Sequence, residues 1–249
     1  MLTQERYKTI LDYLAEHDAA TVSELARILD TSESTIRRDL TVLDRESRLR
    51  KVFGGATALH RTEGALEDEI HVRDVKMAQE KEIIAEYAAS LINNDDFIYI
   101  DSGTTTARFI DHIENTKATF VTNGIIHAQK LLSKGLNAYM IGGRIKAVTA
   151  SVIGAESIRN LQKFNFTKAF LGTNGIDITS GFTTPDSEEA MMKARAIENS
   201  FASFVLADHS KFRKVYPVTF AELRKCCIIT DTLPYTGFSD KTVIREVTK

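Results

Sequence analysis

The sequence predicts an α/β protein with a small helical N-terminal domain and a larger C-terminal domain built on an open, mainly parallel sheet. Near the start of the chain, apolar residues recur three and four positions apart, which is typical of amphipathic helices. Further along, short apolar runs alternate with amphipathic stretches, which favours strands joined by crossover helices. The 249 residues are enough for two domains. We place these at residues 1–57 and 79–249, with a linker over residues 58–78.

The composition is that of an ordinary globular protein. Hydrophobic residues make up 43% of the chain and charged residues 27%, which argues against intrinsic disorder. The two cysteines, Cys226 and Cys227, are adjacent and cannot form a disulfide framework. We see no signal sequence and no run of about 18 apolar residues, and the six histidines lack the spacing of metal ligands. We therefore expect a cytoplasmic protein without a metal ion, a cofactor or a membrane partner.

Three helices are expected in the N-terminal domain. Thr21 and Ser32 stand where the second and third helices need N-caps, and Glu24 follows Thr21 at the spacing of a capping box. A tight turn at Asp30 and Thr31 separates these two helices. The apolar faces of the three helices are formed by Tyr7, Ile10, Leu11 and Leu14; by Val22, Leu25, Ala26 and Leu29; and by Ile36, Leu40 and Leu43.

The third helix carries a polar face opposite its apolar one. Hydroxyl and guanidinium groups of this kind contact phosphates and read base edges in a major groove. Arg50 and Lys51 follow close to a Gly-Gly turn, which is typical of a basic wing. The pattern predicts a winged helix-turn-helix bound to double-stranded DNA, although a three-helix bundle with a merely solvated face would show the same periodicity. The predicted DNA-binding residues are Thr21, Ser32, Ser34, Thr35, Arg37, Arg38, Thr41, Arg50 and Lys51.

The formal net charge of −2 gives no global sign of a nucleic-acid partner. The charges are unevenly distributed along the first domain, however. Residues 1–30 hold three basic and six acidic groups, whereas residues 31–57 hold six basic and four acidic groups. The basic excess therefore falls on the third helix and the wing, where a DNA backbone would lie.

Short apolar runs predict the strands of the C-terminal domain. These runs are Phe97–Ile100, Thr119–Val121, Ala138–Ile141, Ala169–Leu171, Ser203–Leu206 and Cys226–Ile229. Amphipathic stretches predict helices at about 79–92, 104–114, 124–134, 151–162 and 186–200, with Pro185 at the first position of the last helix. We expect Met191, Met192 and Phe201 to lie in the core.

Small polar residues follow most of these runs, at the end of a parallel sheet where ligands bind. Asp101, Asn123 and Asp208 would bind hydroxyl groups, and the threonines at 104–106 would bind a phosphate at a helix N-terminus with Arg144 or Lys211. A sugar phosphate matches this chemistry, although each cluster taken alone also reads as a helix cap or a turn. The predicted effector-binding residues are Asp101, Ser102, Gly103, Thr104, Thr105, Thr106, Thr122, Asn123, Gly142, Arg144, Thr173, Gly175, Asp208 and Lys211.

Two sets of motifs resemble the DeoR family of bacterial transcriptional regulators. The N-terminal set is Ser32–Leu40 and Arg50–Ala56; the C-terminal set is Asp101–Thr105, Thr122-Asn123, Gly142–Arg144, Gly154, Gly181–Pro185 and Leu206–Phe212. The resemblance implies that Thr35, Arg37 and Arg38 lie at the groove. It also implies a C-terminal domain similar in fold to ribose-5-phosphate isomerase. Asn174 and Arg213 depart from the family pattern, and we expect them to affect which sugar fits.

The resemblance implies a repressor of a carbohydrate uptake or catabolism operon, such as a lactose or fructose phosphotransferase operon. A phosphorylated sugar would release it from operator DNA, and a homodimer or homotetramer would hold two or more half-sites. The alternative is a sugar-phosphate isomerase-like enzyme with an N-terminal extension, in which Asp101 or Asp208 is the general base and Lys211 the electrophile. An isomerase has no use for the first 57 residues, so we predict no catalytic residues.

Overall fold

The structure is a computed structural model that describes residues 3–46, 48–58, 61–62 and 70–248. Residues 59–60 and 63–69 of the predicted linker lie outside this part of the chain. The chain divides into two compact units: a first unit of residues 1–61 with 235–237, and a second unit of residues 62–234 with 238–249. The predicted domain boundaries at residues 57 and 78 stay predictions. No helix within the described ranges is long and apolar enough to cross a membrane.

The first unit contains the three predicted helices and a small antiparallel sheet. Strand β1, which the sequence did not indicate, pairs with β3, and β3 pairs with β2 to form the wing. The predicted winged helix-turn-helix is confirmed. Its elements are α1 (Thr3–His17), β1 (Ala19–Thr21), α2 (Val22–Ile28), α3 (Glu33–Arg45), β2 (Arg50–Val52) and β3 (Gly55–Thr57), and β4 (Arg61–Thr62) follows.

Local hydrogen bonds fix where the helices of the first unit begin. Thr21 and Glu24 form the expected capping box, with the Glu24 N–H donating to Thr21 Oγ1 at 3.2 Å and the Thr21 N–H donating to Glu24 Oε2 at 2.8 Å. The Thr35 N–H donates to Ser32 Oγ at 3.2 Å. Arg6 Nε of α1 lies 2.5 Å from Oδ2 of the buried Asp39. This ion pair fixes α1 against α3, so the exposed face of α3 is held by a buried charge pair and the apolar core.

A close backbone contact sets the position of the wing. A Cβ atom built on Gly55 would lie 2.1 Å from the Ala20 carbonyl oxygen, which is far inside contact distance. Gly54 in the turn has φ +82, a conformation that favours glycine. The two glycines are therefore needed for different reasons: Gly54 adopts a left-handed turn conformation, and Gly55 allows a close approach between strands.

The second unit is built on a seven-stranded sheet with the order β17-β16-β13-β10-β5-β6-β7, and every neighbouring pair is parallel. Its helices are α4 (Ile70–Val75), α5 (Ala78–Ala89), α6 (Thr104–Asp111), α7 (Ile125–Ser133), α8 (Ala155–Leu161) and α9 (Ser187–Glu198). The strands of the large sheet are β5 (Phe97–Ile100), β6 (Thr119–Thr122), β7 (Asn137–Met140), β10 (Phe166–Gly172), β13 (Ser200–Leu206), β16 (Cys227–Thr230) and β17 (Ile244–Glu246). Shorter strands are β8 (Arg144–Lys146), β9 (Ser151–Ile153), β11 (Gly175–Asp177), β12 (Gly181–Thr184), β14 (Lys214–Val215) and β15 (Val218–Ala221).

The strand order reverses direction at the middle of the large sheet. From β5 the chain proceeds outward through β6 to β7, then returns to place β10 on the other side of β5. It continues through β13 and β16 to the opposite edge. The carboxyl ends of β5, β10 and β13 therefore meet at a topological switch point, where loops on the two sides diverge and leave a crevice.

The six predicted strands and the parallel sheet are confirmed, and several details differ. The helix predicted over 151–162 begins only at Ala155, because Ser151–Ile153 pairs with β8 in an antiparallel hairpin. Pro185 does not occupy the first helical position. Asp186 caps α9 instead, since its carboxylate accepts the N–H groups of Glu188 and Glu189.

Two of the three predicted core residues are exposed. The Met191 side chain is 55% exposed, whereas its neighbour Met192 is buried, because adjacent positions on a helix face different directions. Phe201 is 96% exposed, since it lies at the amino end of β13, before the strand enters the core.

Candidate functional site

The polar face of α3 is exposed as the periodicity predicts. Ser34, Arg37 and Arg38 are exposed, and Thr35 and Thr41 are half-buried. Arg37 Nη2 lies 2.9 Å from Glu33 Oε2 one turn earlier. Arg38 next to it is exposed and forms no ion pair with another residue of the described part of the chain. Of these two neighbouring arginines, only Arg37 is therefore in an ion pair.

The wing is tied to α3 by side-chain hydrogen bonds. Lys51 Nζ donates to Thr41 Oγ1 at 2.7 Å, and the Lys51 N–H donates to Asp44 Oδ1 at 2.9 Å. Arg50 is exposed on the same strand. At the tip, Phe53 presents a fully exposed ring, which periodicity in a three-residue strand does not reveal. The wing and the helix thus form one surface with cations and one aromatic ring at its edge.

A cavity of about 360 Å³ lies in the second unit at the carboxyl ends of β5, β10 and β13. It therefore occupies the switch point of the sheet. Six predicted effector-binding residues line it: Gly103, Thr104, Thr105, Thr173, Asp208 and Lys211. The sequence prediction did not include the other lining residues, which are Arg73, Lys76, Met77, Lys81, Gly172, Asn174, Leu206, Ser210, Lys214 and Tyr216.

The cavity lining is strongly cationic. Five basic side chains face one carboxylate, Asp208, among the lining residues that the structure describes. Lys81 is buried, and its Nζ donates to the Arg73 carbonyl. Burial, followed by repulsion from Lys211, lowers the pKa of Lys81 to about 8. Burial likewise lowers the pKa of Lys211. A dianion in the cavity would stabilise the charged forms of these lysines, so the lining is suited to an anionic ligand.

The loop after β5 supplies neutral donors to the same cavity. Helix α6 starts at Thr104, directly after the loop, so the first N–H groups of the helix lack intrahelical partners. The Thr104 and Thr105 side chains line the cavity beside them. Thr106 turns inward, where its hydroxyl accepts the Gly103 N–H at 2.9 Å. The loop therefore combines hydroxyl groups and a helix N-terminus, which together favour a phosphate group.

A buried histidine supports this loop from behind. His127 Nε2 lies 3.0 Å from both Thr106 Oγ1 and the Gly103 carbonyl oxygen. The carbonyl requires a proton on Nε2, which leaves Nδ1 without a partner among the described residues. Burial lowers the pKa of His127 to about 4, so the ring is neutral at pH 7. The sequence pattern placed this residue only on a helix.

The remaining predicted effector residues lie outside the lining. Asp101 is buried in an ion pair with Lys193 and accepts the Gly172 N–H at 3.1 Å. Asn123 Oδ1 accepts the Tyr99 hydroxyl at 2.9 Å. Arg144 is exposed and paired with Glu188. The full set outside the lining is Asp101, Ser102, Thr106, Thr122, Asn123, Gly142, Arg144 and Gly175.

Strand order explains which predicted residues come together. Thr122 ends β6, and Asn123 and Gly142 come after β6 and β7, which lie on the outer side of β5, away from β10 and β13. Of the two departures from the family pattern, Asn174 lines the cavity. Arg213 has φ +58, a left-handed conformation in which glycine is favoured.

Comparison with known proteins gives the same two parts. The family described as "DeoR-like helix-turn-helix domain" matches residues 6–62, and "DeoR C terminal sensor domain" matches residues 76–232. FruR of Bacillus subtilis (strain 168), described as an uncharacterized HTH-type transcriptional regulator, is 40% identical over 251 residues, or 99% of each chain. The HTH-type transcriptional repressor GlcR of the same organism is 31% identical, covering 96% of this chain and 93% of its own.

Ribose 5-phosphate isomerase A from Methanocaldococcus jannaschii is similar over 53% of each chain, with a TM-score of 0.40 and 16% identity. The matched families and both bacterial relatives are transcriptional regulators, which decides against the enzyme hypothesis. The two family models match a winged helix-turn-helix and a sensor domain that together span most of the chain. The chain therefore belongs to the DeoR family of DNA-binding transcriptional regulators.

Proposed function

We propose that this protein is a cytoplasmic repressor of a carbohydrate uptake or catabolism operon, and that a phosphorylated sugar releases it from its operator. The observation that carries the proposal is the cavity at the switch point, where five basic side chains surround a threonine-rich helix N-terminus. Charge-assisted hydrogen bonds from such groups are the strong contacts to phosphate oxygens. The relative GlcR is named as a repressor, which supports the direction of control.

The rest of the lining suits the sugar part of such a ligand. Asp208 and Asn174 present acceptors and donors to hydroxyl groups, and Thr173 and Ser210 add hydroxyls of their own. Tyr216 and Met77 offer small apolar surfaces to the ring carbons. The volume of about 360 Å³ lies within the range of small-ligand sites. We assign the cations to the phosphate and the neutral polar side chains to the sugar.

We propose that α3 enters the major groove of double-stranded operator DNA. Arg38 then reads a base edge, and Ser34, Thr35 and Arg37 lie against the backbone. Arg50 and Lys51 of the wing contact neighbouring phosphates. One such unit covers a small footprint, so we propose a homodimer or homotetramer on two or more half-sites.

The test uses an operator duplex selected by the purified full-length protein from a randomised DNA pool. Fructose 1-phosphate, fructose 6-phosphate, glucose 6-phosphate and ribose 5-phosphate are added singly, and the unphosphorylated sugars serve as controls. We expect one sugar phosphate to raise the melting temperature by mass action and to weaken operator binding. Operator affinity that no sugar phosphate changes would count against the proposal.

A further inference from the structure

The chain segment that enters the second unit forms one wall of the cavity. Arg73 lies in α4, and Lys76 and Met77 follow it directly. All three line the cavity, opposite the loops that follow β10 and β13. Towards the N-terminus, the same segment continues into the chain that leads to the DNA-binding unit. A ligand in the cavity would therefore touch the connecting segment itself.

Two contacts outside the cavity hold α4 against the sensor core. Arg108 of α6 donates from Nη2 to Asp74 Oδ1 and to the Asp74 carbonyl oxygen, both at 3.2 Å. Its Nη1 donates to Glu82 Oε2 of α5, also at 3.2 Å. Arg108 is not part of the cavity lining. One guanidinium thus links three helices without touching the ligand position.

The junction after α4 is held in an unfavourable backbone conformation. Met77 has φ 53 and ψ 43, the left-handed region, and no side chain caps the helix that follows. This conformation is unfavourable for a residue with a Cβ atom. The angle between α4 and α5 is therefore kept by the surrounding contacts rather than by local preference.

An anion in the cavity would offset the repulsion between the basic side chains near α4. Arg73 repels Lys81 and Lys211, and Lys76 also repels Lys211. A phosphate between them turns repulsion into mutual attraction through the ligand. We call α4 docked when Arg73 lies at the cavity. A docked α4 would bind the ligand better than an α4 that has moved away, and such a difference in affinity is the condition for a ligand to shift a conformational equilibrium.

We propose that α4 with Lys76 and Met77 is the element that couples the effector to the DNA-binding unit, and that Arg108 is the positioning residue that transmits the docking of α4. The inference rests on the proposed function, because it concerns the same cavity. Ligand binding fixes α4 against α6 through Arg108. Removal of Arg108 leaves the ligand site in place and disconnects it from the chain that leads to the DNA.

The test is Arg108→Ala in the full-length protein, with the selected operator duplex and the four sugar phosphates above. We expect the affinity for the ligand, and the affinity for the operator without ligand, to stay within about threefold of wild type. The ligand should weaken operator binding by roughly 5–150-fold in wild type and by less than about threefold in the variant. Lys130→Ala is the matched control, since Lys130 of α7 pairs with Asp111 of α6 and its hydrogen bonds go to α6 and not to α4 in the described part of the chain. Arg108→Lys, which retains one donor group, should restore part of the response.

Hydrogen exchange of residues 70–77 gives a second readout that a merely structural role would not move. The ligand should slow exchange in this segment in wild type and in Lys130→Ala, and not in Arg108→Ala. The inference is overturned if the ligand releases Arg108→Ala from the operator as fully as it releases the wild-type protein. It is also overturned if Arg108→Ala loses ligand affinity, because Arg108 would then act at the ligand site itself. If Arg108→Ala does not fold, Arg108→Met, which keeps a long side chain and removes every guanidinium donor, is measured in the same way, and an unchanged release overturns the inference. A wild-type protein that binds none of the sugar phosphates would refute the proposed function instead.

Discussion

Neighbouring residues with the same side chain differ in what they can do. Arg37 and Arg38 are both exposed on α3, and helical periodicity places both on the polar side. Only Arg37 pairs with Glu33, and that contact depends on rotamers that periodicity does not specify. The sequence therefore identified the exposed polar face, and the structure distinguishes the arginine in an ion pair from its exposed neighbour.

Arg38→Ala should lower operator affinity by about tenfold, since a bidentate contact to a base contributes about 1–3 kcal/mol. Effector binding should stay at its wild-type value. Fluorescence anisotropy with the selected duplex measures the first quantity and calorimetry the second. Arg159→Ala removes an equally exposed, ion-paired arginine from α8 and should leave both unchanged. Retained operator affinity in Arg38→Ala would show that this face of α3 does not read the bases.

Lys81 should make effector binding dependent on pH. The pKa of Lys81 is about 8 in the ligand-free protein, and a bound phosphate dianion favours the charged ammonium. Above that pH the protein must take up a proton when it binds, so affinity should fall by about tenfold between about pH 7 and pH 9. Calorimetry over this range measures the fall. Lys81→Arg stays charged and should show a shallower profile than wild type, and identical profiles for the two proteins would contradict the role of Lys81.

At the scale of elements, sequence patterns predicted six of the seven strands of the large sheet and missed β17 and the short strands of the second unit. The six predicted strands each carry an apolar run such as Phe97–Ile100, whereas β8, β11 and β12 are only three or four residues long, and in β8 the one apolar residue lies between two charged ones. Helix α4 lies in a polar stretch, so its periodicity gave no signal. It forms because tertiary contacts such as the one from Arg108 stabilise it.

The N-terminus of α6 is the element on which the phosphate prediction depends. In Thr105→Asp, the new carboxylate lies at a helix N-terminus and near the cavity lysines, so the melting temperature of the ligand-free protein should stay the same or rise. The same charge repels a phosphate, so the sugar phosphate should no longer release the operator. Thr105→Ser keeps a hydroxyl group and should retain the response. Normal release by Thr105→Asp would remove this loop from the site.

At the scale of the whole molecule, the fold class and the order of elements followed from the sequence, and the composition of the cavity did not. Sequence reasoning identified polar residues after the strands, but only the strand order shows that the loops after β5, β10 and β13 share one crevice. The five basic side chains come from two regions that are distant in sequence: α4, the junction after it and α5 supply three, and residues 211–214 supply the other two. Their convergence is a property of tertiary packing, and no local pattern encodes it.

The global stability should fall in mild acid because of His127. Its pKa is about 4 in the folded state, against about 6.5 for an unfolded histidine. Between these values the unfolded chain binds a proton that the folded protein excludes, so the free energy of unfolding should fall by about 3 kcal/mol as the pH drops from 6.5 to 4. Urea titrations at several pH values measure this. His127→Gln should have a shallower slope, and an identical slope would assign the acid sensitivity to other groups.

The missing Cβ of Gly55 has a genetic consequence. Any side chain at this codon would collide with the Ala20 carbonyl and displace the wing from α3, while the second unit, which folds around its own core, would still bind its sugar phosphate. A selection for constitutive expression of the target operon should therefore recover missense alleles at codon 55 with many different amino acids. The proteins encoded by such alleles should accumulate at full length, no longer bind the operator and still bind the sugar phosphate.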